Sequence, residues 1–410
     1  MDERSLRHQL SILVLARGCL ARCDSGNLVP GSPGEAAFIN DLVRGGAQVT
    51  LCGPLSTKRP SAALGQIHRD VSVRIVSSCT KWRYLSPRAV FRLVKAMREA
   101  DYLYLWTGSF AVYVAALNHF FAQKPYAVYE QPWMDATYLA TYLERQGPIV
   151  RWLLPRSMRR ARERMIRGAS HVYVHGGKLR EECRAIRGEE VLDVVPLTPV
   201  RRTDFYERAP TFPSQVRRIA FVGGVVGRGK GVEVLLDALR DLKSRGVPFE
   251  FRSATKVPFT ESQTKQLAGL ELGDAAQIHV GLKWDPDLRD LLRQSDILVV
   301  ASWSEGFPRV IYEAGSQGLA LVTTPVGGIP YALKDNHDAL FVAPGGASAL
   351  ADALERLARQ PTLVHQLGRN LQRTVWSLLF EASDFESHGQ QVIHWAQSVA
   401  RQRALDTDRA

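Results

Sequence analysis

Residues 304–330 read SEGFPRVIYEAGSQGLALVTTPVGGIP, and two glutamates, Glu305 and Glu313, stand in a run that is otherwise small, apolar or turn-forming. Just before it, DILVVAS has the continuous apolar character of a buried parallel strand and stops at Ser302. VIYEAGSQG has the pattern of a buried helix, and Pro308 suits its first turn, where a missing amide hydrogen costs no bond. ALVTT returns to strand character, so the stretch spells strand, loop, helix, strand. Units of that kind build open parallel α/β sheets, which bind ligands outside the carboxyl ends of their strands. Glu305 falls on that loop, and Glu313 about two helical turns farther on.

The amides at such a helix start, with the helix dipole behind them, form a seat for phosphate oxygens. Gly306 lets backbone approach a ligand closely. A carboxylate accepts two hydrogen bonds from neighbouring hydroxyls, which suits a sugar or ribose diol. One acid on a hexose and the other on a ribose, with a diphosphate between them, is an arrangement this pattern accommodates.

The same alternation extends in both directions. RRIAFVGG, FEFRSA, AQIHVGL, DILVVAS, ALVTT and ALFVAP make one series of short β-branched runs; SILVLA, AQVTLCG, VSVRIVS, YLYLW, YAVYE and HVYVHG make another. Helical patterns separate them, so two parallel sheets are expected, facing across a deep cleft. VVPLTPVRRTDFYERAPTFPSQVRR, with four prolines and no periodicity, reads as the segment between them. The expected division is a first domain over 1–200, a linker over 201–217, a second domain over 218–380, and a last helix over 381–410 that returns to the first.

A chain of 410 residues suits two domains, and 45% apolar with 23% charged residues is ordinary globular composition, which excludes disordered and fibrous classes. Five scattered cysteines, of which only Cys19 and Cys23 are close in sequence, predict reduced thiols, with a metal or redox pair as the alternative. Neither a signal peptide nor a spanning segment is legible, so the expected location is the cytoplasm, with the inner membrane face as a second site. The formal charge of +12 points to an anionic partner: nucleic acid, an acidic membrane or a phosphate-bearing substrate. No nucleic-acid reader motif is present.

The quoted stretch resembles the donor-site signature of retaining GT-B glycosyltransferases of family 4, the glycosyl transferases group 1. FVGGVVGRGKGVEVLLDAL, HVGLKWDPDLRDLLRQSDILVVAS and DNHDALFVAPGGASALADALERL extend the likeness in the family's order. It implies the GT-B fold, two Rossmann-like domains, and transfer of a hexose from a nucleotide-diphosphate sugar to an acceptor hydroxyl with retention, in cell-surface glycan, polysaccharide or glycolipid synthesis. It also implies no metal and no cofactor. Carried over, Glu305 contacts the sugar hydroxyls, Glu313 the ribose and Lys230 the diphosphate. The amides of Gly306, Phe307, Arg309 and Val310 face the donor, and Gly223 and Gly224 give it room. Catalysis is expected from Glu305 and Lys230. The chain departs from the family pattern where an arginine usually follows the first glycine: Gly224 stands there, and Arg228 is the nearest substitute. FRSATKVPF replaces a Gly-x-Gly-Pro turn, and Tyr331 replaces a frequent acid.

For the acceptor, the family's glycine-rich loop corresponds to the stretch containing Gly31, Gly34 and Glu35, although a plain connector reads equally well. Glu130, Gln131, Trp133 and Asp135 follow a strand, and their mix of polar and aromatic groups suits carbohydrate. His175 ends the next strand before two glycines. RWLLPRSMRRARERMIR, residues 151–167, reads either as a basic amphipathic segment for anionic lipid or as a domain helix with a solvated basic face. The alternatives to glycosyl transfer are a nucleotide-sugar epimerase or phosphorylase on the same scaffold, or a basic membrane- or nucleic-acid-binding protein.

Overall fold

The computed structural model describes residues 9–16, 19–23, 26–30, 33–56, 66–78, 86–130, 148–188, 190–194, 196–209, 217–224, 228–282 and 284–407. The chain divides into two compact units: residues 1–175, 179–197 and 384–410 make the first, and 176–178 with 198–383 the second.

The second unit is built on a six-stranded sheet in which every pairing is parallel. Its spatial order is Ala276–Val280, Phe249–Thr255, Arg217–Gly223, Ile297–Val300, Ala320–Thr323, Leu340–Phe341. In chain sequence this is 3-2-1-4-5-6, the doubly wound order, so the direction of winding reverses between Arg217–Gly223 and Ile297–Val300. Alternation along the strands sorts the core. Ile219, Phe221, Ile297 and Val299 join a cluster with Leu235, Leu239 and Leu354. Their neighbours Ala220, Leu298 and Val300 join the opposite cluster with Ile311, Leu371 and Val375. Period-two side chains on a sheet covered on both faces produce these two layers.

The first unit holds a seven-stranded sheet, again all parallel, in the order Ser72–Ser78, Gln48–Leu55, Ser11–Leu15, Tyr102–Trp106, Tyr126–Glu130, His171–Val174, Val191–Asp193. A two-residue antiparallel pairing of Ala21–Arg22 with Leu28–Val29 is added beside it. The last helix, His388–Thr407, belongs to this unit: Val392, Ile393 and Ala396 share a cluster with Phe38, Ile39 and Leu42 of the helix Pro33–Arg44. His388 enters the same core, bonding Tyr104 Oη at 2.7 Å and Gln391 Oε1 at 2.9 Å.

The proline-rich segment after residue 197 is docked where it is described. Asp204 pairs with Arg289, and the Arg208 guanidinium donates to the carbonyls of Gln317, Leu292 and Arg293. Residues 210–216 lie outside the described set. Cys19 is disulfide-bonded, which corrects the expectation of reduced thiols for that residue. Cys52 and Cys183 are buried free thiols whose pKa burial pushes up to about 12. No described helix is long and apolar enough to cross a membrane.

Candidate active site

The reversal of winding in the second unit brings two loops together. The strand Arg217–Gly223 ends at Gly223, Gly224 follows it, and the next described residues form the 3-10 turn Arg228–Lys230. Its neighbour Ile297–Val300 runs into Ser302, Trp303 and Glu305. The Trp303 amide donates to Gly229 O at 2.9 Å, fastening one loop to the other. Lys230 Nζ then reaches Glu305 Oε1 in a direct ion pair, and Ser302 Oγ donates to the same oxygen at 2.9 Å. The Glu305 side chain is 12% exposed and that of Lys230 39%, so the pair lies at the surface edge of the site.

The Glu305 loop is held from beneath. Thr324 Oγ1 donates to Ser302 O at 2.5 Å, and the Gly328 amide donates to Gly306 O at 2.5 Å. Gly327, at φ +60°, lies against the Glu305 carbonyl, and Gly231, at φ +65°, against that of Ala301; a Cβ on either would overlap the facing oxygen. Sequence reading singled out none of Ser302, Thr324 and Gly327 as site residues. The visible signal was a serine three residues before the glutamate and a glycine pair after the next strand.

The helix Arg309–Ser316 begins at Pro308, which occupies its cap position. The first amides of a helix have no partner within it, so those of Arg309 and Val310 remain available for an anion. Phe307 and Val310 are buried, and the Phe307 ring packs on Tyr312 with centroids 4.9 Å apart. Glu313 is also buried. Burial raises its carboxyl above the usual carboxylate range, while Arg309, one turn earlier, and Lys256 draw it down. No hydrogen bond reaches its carboxylate among the described residues. Lys256, just past the strand Phe249–Thr255, sits in the FRSATKVPF segment that departs from the family turn. The backbone of Arg228 lies in the turn with Lys230; its side chain is outside the described set. Among the described residues, no group of three His, Cys, Asp or Glu side chains is placed to hold a metal ion.

In the first unit the acceptor candidates part company. Gly34 opens the helix Pro33–Arg44, and Glu35 beside it is buried. Gly31, Gln131, Trp133 and Asp135 lie outside the described residues. His175 follows the strand His171–Val174, half-buried, with its pKa lowered to about 4 by burial. Glu130 does not sit on a rim: it is 0% exposed, accepting from Arg162 Nε at 2.5 Å and Thr107 Oγ1 at 2.7 Å. Burial pushes its carboxyl up even with that guanidinium and hydroxyl drawing it down. Arg162 belongs to the basic stretch 151–167, now the helix Pro148–Gly168, whose Met165 and Ile166 are buried in the unit's core. Those two apolar groups are therefore unavailable to lipid.

The comparisons agree with this architecture. Residues 216–360 match the family model described as Glycosyl transferases group 1. A D-inositol 3-phosphate glycosyltransferase of Streptomyces griseus is 33% identical over 145 residues, 34% of this chain and 30% of that protein. The putative teichuronic acid biosynthesis glycosyltransferase TuaC of Bacillus subtilis is 27% identical over 225 residues, 53% of this chain and 54% of its own. The chain thus matches between 30% and 54% of the length of these relatives. Among solved structures, Anabaena HepE in complex with UDP superposes with a TM-score of 0.66 at 16% identity, over 97% of this chain and 100% of that one. Likeness at that identity concerns the fold, two Rossmann-like units in the GT-B architecture.

Proposed function

We propose that the protein, whose residues 216–360 match the family model described as Glycosyl transferases group 1, transfers a hexose from a nucleotide-diphosphate sugar to an acceptor hydroxyl, with retention, in the synthesis of a glycan. The observation that carries this reading is the Lys230–Glu305 pair at the point where the second sheet reverses its winding. An ammonium group has three hydrogens, so Lys230 can hold Glu305 and a phosphate oxygen together. As the sugar leaves, negative charge grows on the diphosphate, and Lys230 with the amides of Arg309 and Val310 stabilises it without reorganising. Glu305, fixed by Ser302 and by its own backbone, orients the sugar hydroxyls. Glu313 receives the ribose. The acceptor hydroxyl attacks from the face the diphosphate leaves, and the departing phosphate takes its proton. Gly34, Trp133 and His175 are the acceptor positions to test; Glu130 is already committed to Arg162 and Thr107.

The relatives' names place them in inositol phosphate and teichuronic acid chemistry, and one structural neighbour was solved with UDP-glucose. UDP-sugars are therefore the first donors to try. A thermal-shift screen against UDP-, GDP-, ADP- and TDP-sugars reads binding directly, because a ligand held only by the native state raises its stability. Glu305→Ala and Lys230→Ala are each expected to lower the transfer rate by roughly a hundredfold or more. Wild-type activity in both variants removes the proposal, and conversion of the donor sugar without any acceptor replaces it with an epimerase.

A further inference from the structure

Three phenylalanines of the first unit stand in the open. Phe91 is 70% exposed, Phe120 72% and Phe121 50%. Phe91 lies on the helix Pro87–Glu99, whose inner face is Ala89, Leu93, Ala96 and Met97. At 100° per residue Phe91 falls opposite Leu93, at the centre of the outer face, with Arg88, Lys95 and Arg98 on either side. All three of those cations are exposed, as is Arg92.

Phe120 and Phe121 lie on the π-helical turn Asn118–Ala122, with ring centroids 6.4 Å apart. That turn is held rigidly. The buried Asn118 donates to Lys124 O at 2.8 Å and accepts from the Lys124 amide at 3.0 Å, and Gln123 takes a left-handed conformation at φ 51°. The two rings are therefore presented outward by a closed loop. Arg98 Nε donates to Phe121 O at 2.9 Å, which ties the turn to the helix, and the exposed Arg403 donates to Gln123 O at 3.4 Å. The helix carries one acid, Glu99, which pairs with Arg74 at 2.6 Å and, more loosely, with Lys95 at 4.0 Å, leaving Arg88, Arg92 and Arg98 as the stronger cations of this face.

We propose that this face, Phe91, Phe120 and Phe121 among Arg88, Arg92, Lys95 and Arg98, docks the protein on the surface of an anionic lipid bilayer. Lipid surfaces take up isolated aromatic rings set among cations: the rings enter the headgroup boundary and the cations meet the negative surface potential. A protein partner would instead favour a contiguous apolar core, with charge depleted at its centre. The chain's net charge of +12 adds long-range attraction of the same sign. The inference does not depend on the reading of the donor site.

Co-sedimentation with lipid vesicles tests it. The intact protein is expected to bind vesicles containing phosphatidylglycerol, not phosphatidylcholine alone, and to be released by salt as the Debye length shrinks from about 10 Å at 0.1 M. The triple variant Phe91→Ser, Phe120→Ser, Phe121→Ser and the pair Arg92→Gln, Lys95→Gln are each expected to weaken binding by roughly tenfold or more while retaining the wild-type melting temperature. These side chains are exposed, so folding is not at stake. A second variant, Arg156→Gln, Arg159→Gln, Arg160→Gln, Arg164→Gln, alters exposed cations of the long basic helix and is expected to bind nearly as wild type. Equal binding to neutral vesicles, loss of binding in the second variant alone, or a dimer that the triple serine variant dissolves would each overturn the proposal.

Discussion

The carbonyl oxygen of Glu305 lies against the α-carbon of Gly327, which holds φ at +60°. The acidic loop is thereby seated on the turn that follows the next strand. A Cβ at 327 has no free space, and an L-residue in that conformation adds strain of about 1–2 kcal/mol. Gly327→Ala is expected to lower the melting temperature and abolish nucleotide-sugar binding together. Gly246, at φ +71° with open space around its α-carbon, provides the comparison. Gly246→Ala should show the backbone strain alone, with donor binding intact, in parallel calorimetry and ligand titrations.

In the proposed reading, Glu313 sets stability against donor binding. Burial holds its carboxyl above the usual carboxylate range. An unfolded glutamate titrates near about 4.3, so as pH rises past that value the folded state is penalised for keeping or ionising this group. Glu313→Gln removes the penalty. The variant is expected to melt a few degrees higher at pH 7.5, at roughly 2–4 °C per kcal/mol, and to show no advantage near pH 4. Donor affinity should fall about tenfold, since hydrogen bonds to a charged group contribute about 1.5–3 kcal/mol.

Breaking the buried pair of Glu130 and Arg162 should unfold rather than inactivate. Glu130→Ala leaves a guanidinium that is 16% exposed facing only Glu182, at 3.7 Å, and breaking a buried pair in this way costs about 3–5 kcal/mol. The double variant Glu130→Leu, Arg162→Met should regain much of that loss, and urea titrations read the recovery. If Glu130 contacts the acceptor instead, the double variant will be stable yet show a greatly raised acceptor KM.

Acid should loosen the first unit. Burial lowers the pKa of His171 and His175 to about 4 and that of His388 to about 3. Each imidazole is neutral in the folded protein, while the unfolded chain takes up protons below about 6.5. Their contribution is complete above that pH and is lost as pH falls toward the folded-state values. At pH 5 the loss is about 1–2 kcal/mol per histidine relative to pH 8. Melting curves across that range should slope accordingly, and His388→Gln should make the slope shallower.

The alternation of apolar strands and amphipathic helices was enough to recognise two parallel α/β sheets, because period two and period 3.6 are local properties of the chain. The strand Ile297–Val300, the loop carrying Glu305 and the helix holding Glu313 could be read in the same way from residues 296–316. Spatial order is not local. Lys230 and Glu305 are separated by 75 positions, and they meet because the first and fourth strands of the second sheet are neighbours.

Side-chain environment was equally hidden. Glu130 could be placed at a strand end, but not its partner Arg162 from a helix farther along. Phe91 in sequence looks like one more core residue of an amphipathic helix, and only the packing of Leu93 and Met97 inward turns its ring to solvent. Local chemistry determined the elements and the residue types at their ends. Which ends meet, and which charges and rings are covered, was decided by sheet order and helix orientation, because burial and electrostatic pairing depend on contacts between residues far apart in the chain.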